Sequence, residues 1–277
     1  MSFFEHDAVR FNYKTVGEGF PLVMCHGLTG DLSDSKDLLG EFPGYRLVFP
    51  DIRAHGNTQP VGPESKLCFS QFSADLYALL EHLKIERAVV GGISMGAGIA
   101  ARFAIDFPNY VAGLVLIRPA WSDAPSPKNL KWCPLIAQLL NQSGNERWRQ
   151  SLDEHPEFQE LKQEDPALFD SFRQQFEEPL AIERRARLVC VPGDCPIHTW
   201  QEVESLEVPA LVIGSGKDTA HPISIAKAWS EHLRHCQLRR VTTKSIDHDQ
   251  HTQDVRNHLN GFLNSLIQSQ ERCDMQT

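Results

Sequence analysis

A serine flanked by glycines carries the most specific chemical signal in this sequence. Residues 91–98 read Gly-Gly-Ile-Ser-Met-Gly-Ala-Gly and contain Gly-x-Ser-x-Gly with the serine at position 94. A strand-like apolar run precedes the motif and an alanine-rich, helix-like run follows it, which is the context that a nucleophile elbow requires. The flanking glycines permit a sharp turn that places the Ser94 hydroxyl at a helix N-terminus. We predict that Ser94 is a nucleophile; the alternative is a glycine-rich turn with an incidental serine.

A serine nucleophile that attacks a carbonyl also needs two N–H donors for the oxyanion. The amide of Met95 directly follows the nucleophile and is the first predicted donor. The second is the amide of Leu28, because His26-Gly27-Leu28 follows the first buried, strand-like run. Alone, this segment also fits a plain glycine turn.

The nucleophile further needs an acid that orients a histidine base. Asp218 follows the apolar run 209–213, at the predicted carboxyl end of a strand, where open α/β sheets build their sites. It is the predicted acid, with Asp123 as a second candidate and a surface aspartate as the plain alternative. His248, seven residues beyond Val241, is the predicted base, and His251 is the alternate.

His248 and His251 also have the His-x-x-His spacing of metal ligands. Zinc sites need three or four well-placed donors, and the hydrolytic site already uses one of these histidines. We therefore predict no metal and no organic cofactor.

Short apolar runs alternate with helix-like segments over the first 120 residues and again after residue 206. This pattern predicts an α/β fold with a mostly parallel, doubly wound sheet. Residues 11–16 are predicted as an edge strand, residues 237–241 as the last strand and residues 255–266 as a closing helix. Residues 121–205 are polar and helix-like. We predict a core of residues 1–120 and 206–277, with residues 121–205 inserted as a helical cap.

Four motifs in this order resemble the α/β-hydrolase superfamily, in particular its serine-nucleophile branch with a helical cap. They are His26-Gly27, the loop from Asp51 to Gly56, the Ser94 elbow, and Gly214 to Asp218 followed by Pro222. The resemblance implies an eight-stranded, mostly parallel sheet and a triad in the chain order serine, acid, histidine. It also implies that Asp51, Arg53 and His55 are architectural. The family usually has Gly-His after the last strand, whereas residues 245–251 of this chain read Ser-Ile-Asp-His-Asp-Gln-His.

Composition restricts the partners. The net charge of −9 disfavours nucleic acid and anionic membrane surfaces. The sequence contains no apolar run of the roughly 20 residues that a spanning helix needs, and no signal-peptide pattern at its start. Seven scattered cysteines without a Cys-x-x-Cys motif are typical of reduced thiols. We expect a cytoplasmic protein that acts on a small molecule; nothing in the sequence indicates its oligomeric state.

The predicted function is hydrolysis of a small carboxylic ester, thioester or lactone through an acyl-enzyme. Ser94, His248 and Asp218 would form the triad. Three alternatives remain: a C–C bond hydrolase or lyase on the same triad, a cofactor-free haloperoxidase-like side activity, and a non-catalytic binding or receptor protein of the same fold.

Overall fold

Eight strands form one mostly parallel sheet in the computed structural model, which describes residues 1–274 without the side chains of 143–149 and 269–274. The strands are β1 (Ser2–His6), β2 (Val9–Val16), β3 (Phe20–Cys25), β4 (Tyr45–Pro50), β5 (Ala88–Ile93), β6 (Val111–Ile117), β7 (Ala210–Ser215) and β8 (Cys236–Val241). Their order in the sheet is β1-β2-β4-β3-β5-β6-β7-β8. From β4 to β8 neighbouring strands run parallel, while β1 and β2 are antiparallel to their neighbours. The predicted fold class is confirmed.

Helices cover both faces of the sheet. They are α1 (Leu32–Leu39), α2 (Phe69–His82), α3 (Met95–Asp106), α4 (Trp132–Glu154), α5 (Pro156–Glu164), α6 (Pro166–Gln174), α7 (Ala181–Arg184), α8 (Arg187–Cys190), α9 (Trp200–Glu204), α10 (Ile223–His232) and α11 (His248–Asp274). Alternate residues of β3 point to opposite faces of the sheet. On one face, Leu22 and Met24 pack in a hydrophobic cluster that includes residues of α1 and α11. On the other face, Val23 and Cys25 pack in a second cluster that includes residues of α2, α3 and α10. None of the helices in the described part of the chain is long and apolar enough to cross a membrane.

Residues 11–16 form a strand, as predicted, but the prediction that this strand lies at the edge of the sheet is wrong. It forms β2, which is covered on one side by β1; Ser2 pairs with Tyr13 and His6 with Val9. The two strands are joined by Asp7 and Ala8, whose φ values of 50° and 57° fall in the left-handed region. Two-residue hairpin turns of this kind usually contain Gly or Asn, so the pair Asp-Ala carries little hairpin signal.

The helices α4 to α9 come between β6 and β7 in the chain. Side chains of this segment hydrogen-bond to loops at the carboxyl ends of the strands. Arg187 is 3% exposed and donates to the carbonyl oxygen of Ala54 at 2.8 Å. Arg184 donates to the carbonyl oxygen of Gly56 at 2.5 Å, and Gln175 to that of Thr29 at 2.8 Å. These contacts tie the inserted segment to the loops that follow β3 and β4.

Candidate active site

The turn between β5 and α3 holds Ser94 in a strained conformation, with φ 56° and ψ −112°. A Cβ atom at Gly92 would lie 2.3 Å from the carbonyl carbon of Gly96, and one at Gly96 would lie 2.2 Å from the carbonyl oxygen of Cys25. Side chains at these positions would therefore collide with backbone that cannot move aside. The serine lies at the N-terminus of α3 and lines a cavity, as the motif predicts.

Replacing Gly92 with alanine is expected to lower the free energy of unfolding by about 3 kcal/mol, because the new methyl group overlaps the backbone of Gly96. Urea unfolding measures the change. Gly261 in α11 is the matched control, since a Cβ atom there meets nothing within 4 Å. Gly261→Ala should raise stability by up to about 1 kcal/mol. Equal effects of the two substitutions would contradict the steric account of the elbow.

His221 joins Ser94 to Asp218. Its Nε2 lies 2.9 Å from Ser94 Oγ, and its Nδ1 lies 2.8 Å from Asp218 Oδ1. All three side chains are mostly enclosed. Ser94 follows β5, and Asp218 and His221 follow β7, which is separated from β5 in the sheet by β6. The structure thus brings together the two predicted residues Ser94 and Asp218 through a histidine that the sequence analysis did not select.

Asp218 is held as a carboxylate from two sides. Its Oδ1 also accepts from the backbone N–H of His221 at 3.1 Å, and its Oδ2 accepts from Arg118 Nε at 2.7 Å. Burial alone would raise the pKa of Asp218, but His221 and Arg118 together hold it well below its usual value. Asp123, the second candidate acid, is exposed and does not line the cavity.

The tautomer of His221 follows from its neighbours. Arg118 Nη2 lies 3.0 Å from His221 Nδ1, and an arginine can only donate. Nδ1 cannot accept from Arg118 and donate to Asp218 at the same time. We assign the proton to Nδ1, because the carboxylate is closer and charged, which leaves Nε2 free to accept from the Ser94 hydroxyl. Burial, and next the Arg118 charge, lowers the pKa of His221, so the neutral form is favoured.

His248 and His251 are not in contact with Ser94 or Asp218. The chain after β8 turns at Thr243, and α11 begins at His248, whose side chain is 66% exposed and lies 3.6 Å from Asp249. His251 is buried in the first turn of α11, and its Nδ1 donates to the carbonyl oxygen of Thr242 at 2.8 Å. Both residues line the same cavity as Ser94, but neither hydrogen-bonds to the serine or to the acid.

The loop that carries Leu28 lies against the nucleophile. A Cβ atom at Gly27 would be 3.5 Å from Ser94 Cβ, so glycine allows this close approach. His55 Nε2 lies 2.9 Å from the carbonyl oxygen of Leu28, and this contact fixes the loop from the side of the Asp51–Gly56 segment. In the described part of the chain, the amides of Leu28 and Met95 have no hydrogen-bond partner.

The loop of Asp51, Arg53 and His55 is structural, as the resemblance implies. Asp51 accepts from Asn12, from the Leu32 amide and from the Asn57 amide at 2.7–2.8 Å. Arg53 is fully buried and makes a bidentate ion pair with Asp75. None of the three residues lines the cavity.

The cavity above Ser94 has a volume of about 1500 Å³. Its walls include polar core residues from the strand ends and a mixture of apolar and polar side chains from the inserted helices, among them Leu130, Cys133, Leu168, Phe172 and Gln174. Within the described residues, no group of three or more His, Cys, Asp or Glu side chains is arranged to hold a metal ion. The arrangement supplies an oriented hydroxyl, a base and room for an organic substrate.

Comparisons with known proteins agree with this fold. A family model described as alpha/beta hydrolase fold matches residues 21–253. The dihydrolipoyllysine-residue acetyltransferase component of the acetoin cleaving system of Pseudomonas putida is 29% identical over 237 residues, which are 79% of this chain but only 58% of that protein. The 3-oxoadipate enol-lactonase 2 of Acinetobacter baylyi is 24% identical over 242 residues, 86% of this chain and 87% of that protein. One chain from a structural study of carboxylesterases of the ammonia-oxidizing thaumarchaeon Nitrososphaera gargenis superposes with a TM-score of 0.76 at 20% identity, covering 97% of this chain and 100% of that one.

Proposed function

Because the chain belongs to the alpha/beta hydrolase fold family, we propose that it is a serine hydrolase that cleaves a small carboxylic ester, thioester or lactone. The observation that carries the proposal is the contact of His221 with both Ser94 Oγ and Asp218 Oδ1. We assign the triad to Ser94, His221 and Asp218, with His221 in the place that the sequence analysis gave to His248.

The first half of the reaction forms an acyl-enzyme. His221 Nε2 takes the proton of the Ser94 hydroxyl as Oγ attacks the substrate carbonyl carbon. The carbonyl oxygen becomes an oxyanion, for which the amides of Leu28 and Met95 are the proposed donors. When the tetrahedral intermediate collapses, the bond to the leaving group breaks, and His221 returns its proton to the departing oxygen or sulfur. Asp218 stabilises the transient imidazolium throughout.

The second half repeats these steps with water. His221 removes a proton from the water, the hydroxide attacks the acyl carbon, and Ser94 leaves with the proton from the imidazolium. The carboxylic acid is released and the enzyme returns to its starting state. A lactone follows the same path, except that its leaving hydroxyl remains part of the acyl group. The similarity to an enol-lactonase over most of both chains supports including lactones.

We propose that residues 121–205 act as the cap over this site. Phe172 and Leu168 of α6 face the cavity that contains Ser94, and Arg187 and Arg184 anchor the neighbouring helices to the core. A cover of this kind excludes water from the carbonyl under attack and determines which acyl groups fit.

The proposed function is tested by pre-steady-state hydrolysis of 4-nitrophenyl acetate. An acyl-enzyme mechanism predicts a burst of nitrophenolate that approaches one equivalent of enzyme when deacylation is the slower half. Trapping by acid and mass spectrometry should find an added acetyl group on the peptide that contains Ser94. A burst without an acetyl group on Ser94 would contradict the covalent mechanism, and a C–C bond cleavage product from a diketone substrate would favour the lyase alternative.

The pH dependence of kcat/KM is expected to reflect the environment of His221. The base must be neutral, so activity falls as the pH drops through the pKa of His221. Burial and Arg118 lower this pKa, which places the midpoint of the acid limb below about 6.5. In Arg118→Met the midpoint should move upward, because a positive charge beside the imidazole is lost. A wild-type midpoint above 6.5, or an unmoved midpoint in the variant, would contradict the assignment.

A further inference from the structure

The loop that carries the Leu28 amide is a β-turn beside the nucleophile. Gly30 donates to the carbonyl oxygen of Gly27 at 3.2 Å, and Leu28 and Thr29 are the central residues of the turn. A Cβ atom at Gly27 would lie 3.5 Å from Ser94 Cβ. A donor stabilises an oxyanion only when it points at the place where the charge develops, so the orientation of this turn matters for catalysis.

Two histidines of the core contact carbonyl oxygens of the turn. His26 Nδ1 lies 2.8 Å from the carbonyl oxygen of Gly27, and His55 Nε2 lies 2.9 Å from that of Leu28. The other ring nitrogen of His55, Nδ1, lies 2.8 Å from the carbonyl oxygen of Arg53. Burial lowers the pKa of His55, and a neutral imidazole can donate only one proton. Since one proton serves two acceptors, a further donor to the turn strengthens its attachment.

The carbonyl oxygen of Thr29 is held by the inserted segment, residues 121–205. Gln175, which directly follows α6, is 3% exposed, and its Nε2 donates to this oxygen at 2.8 Å. Its Oε1 accepts from Arg187 Nη2 at 2.8 Å. Because an arginine can only donate, Arg187 determines which end of the Gln175 amide faces it and so directs Nε2 toward Thr29.

Arg187 also supports the other side of the turn. Its Nη1 donates to the carbonyl oxygen of Ala54, the residue before His55, at 2.8 Å, and its Nη2 lies 3.0 Å from both carboxylate oxygens of Glu178. Burial of a charged side chain carries a desolvation cost, and well-packed apolar residues often join two surfaces as stably as a buried ion pair. Docking of the inserted segment therefore does not by itself require a buried arginine here.

We infer that Gln175 and Arg187 are positioning residues of the oxyanion hole: they hold the Gly27–Gly30 turn so that the Leu28 amide faces the carbonyl oxygen of the group that Ser94 attacks. This inference rests on the proposed function, because the hole is defined by the carbonyl under attack. Neither positioning residue lines the cavity, so both act through the backbone of the turn. Docking of the inserted segment then completes the hole as well as covering the site.

The first test is Gln175→Met, which keeps the length of the side chain and removes its hydrogen bond to Thr29. An oxyanion hole acts in the transition state and not in substrate binding. The single-turnover rate constant for acylation by 4-nitrophenyl butyrate should therefore fall by at least about 10-fold, while the substrate dissociation constant stays within about 2-fold of wild type. Gln201→Met is the matched control, since Gln201 is exposed in α9 and does not line the cavity. It should keep the wild-type acylation rate.

A reversible transition-state analogue supplies the second readout. Ser94 Oγ adds to the carbonyl carbon of 1,1,1-trifluorooctan-2-one, the serine proton passes to His221, and the carbonyl oxygen becomes an oxyanion in the hole. In Gln175→Met the inhibition constant of this ketone should rise by at least about 10-fold, whereas that of octan-2-one should change by less than about 2-fold. A residue that only stabilised the fold would not separate the two ketones.

Asp194→Ala shows whether loosening of the inserted segment explains the loss. Asp194 belongs to the same segment, its Oδ2 accepts from the Phe69 amide at 2.8 Å, and it does not line the cavity. Both this variant and Gln175→Met should lose stability, but only Gln175→Met should lose acylation rate. Equal losses of acylation rate in the two variants would overturn the positioning role.

Further outcomes separate the positioning role from the proposed function. A folded Gln175→Met with the wild-type acylation rate and unchanged inhibition by the trifluoroketone overturns the role and leaves the hydrolase intact. If Gln175→Met does not fold, Gln175→Glu decides, because it keeps the shape of the side chain and presents an oxygen to Thr29; the same loss supports the role, and a wild-type rate overturns it. Neither ester hydrolysis nor inhibitor binding in the wild type would overturn the proposed function, and the positioning role with it.

Discussion

His221→Asn is expected to lower kcat for ester hydrolysis by at least about 10⁴-fold, because Ser94 loses the group that removes its proton. The expectation rests on the 2.9 Å contact of His221 Nε2 with Ser94 Oγ. Asparagine retains a polar side chain of similar size, so the variant should fold. Steady-state hydrolysis of 4-nitrophenyl butyrate measures the loss, and circular dichroism establishes the fold.

His248→Asn and His251→Asn are the matched controls. His248 is largely exposed and touches neither Ser94 nor Asp218, so its replacement should leave kcat within about 2-fold of wild type. His251 is buried and bonded to Thr242, and its replacement should act mainly through stability. Normal turnover in His221→Asn, together with a large loss of turnover in folded His248→Asn or His251→Asn, would contradict the assignment of His221. The catalytic base would then be the histidine whose replacement caused the loss, as the sequence predicted.

Ser94→Ala is expected to abolish turnover to a similar extent, by about 10⁴-fold or more in kcat, because no nucleophile remains to form the acyl-enzyme. The variant should still bind substrate, since the walls of the cavity are unchanged. Ser245→Ala is the control, because Ser245 is exposed, lines the same cavity and makes no contact with His221. It should retain wild-type kcat.

The two losses should not add. Residues that act as one catalytic unit lose their joint effect when either is removed, so the double variant Ser94→Ala/His221→Asn should be no slower than Ser94→Ala alone. A double variant that is a further 100-fold slower would mean that the two residues act independently. That result would contradict a shared proton transfer between them.

The nucleophile elbow could be predicted from the sequence because its chemistry and its backbone geometry depend on the same residues. Gly92 and Gly96 face backbone atoms that exclude any Cβ, and Ser94 adopts the strained turn between a buried strand and a helix. The parallel sheet could also be predicted, because strands that are buried on both faces have continuous apolar sequences. Asp218 could be placed because it directly follows such a strand.

His221, the proposed base, was not predicted because the expected chain order places the histidine after the last strand. His221 lies three residues beyond Asp218, in the same loop, where a tight turn lets Oδ1 of the acid accept from both the backbone and the side chain of the histidine. The signal was present as Asp-x-x-His directly before Pro222. Sequence distance from Val241 favoured His248, but the chain after β8 begins α11 at that residue and turns it toward solvent.

The role of Arg118 could not be predicted either. In the sequence it is one arginine after an apolar run, and nothing in its neighbours indicates an ion pair with a residue 100 positions away. Pairing of this kind depends on the order of strands in the sheet, which places the ends of β6 and β7 side by side. The N-terminal hairpin was missed for a local reason, since its turn uses Asp7 and Ala8 rather than glycine.

The central claim is that His221 activates Ser94, and the rate of labelling by a fluorophosphonate tests it most directly. Wild-type protein should be labelled at Ser94, as mapped by peptide mass spectrometry. His221→Asn should be labelled at least about 100-fold more slowly and His248→Asn at the wild-type rate. Labelling at wild-type rate in folded His221→Asn, or a label on any residue other than Ser94, would contradict the account.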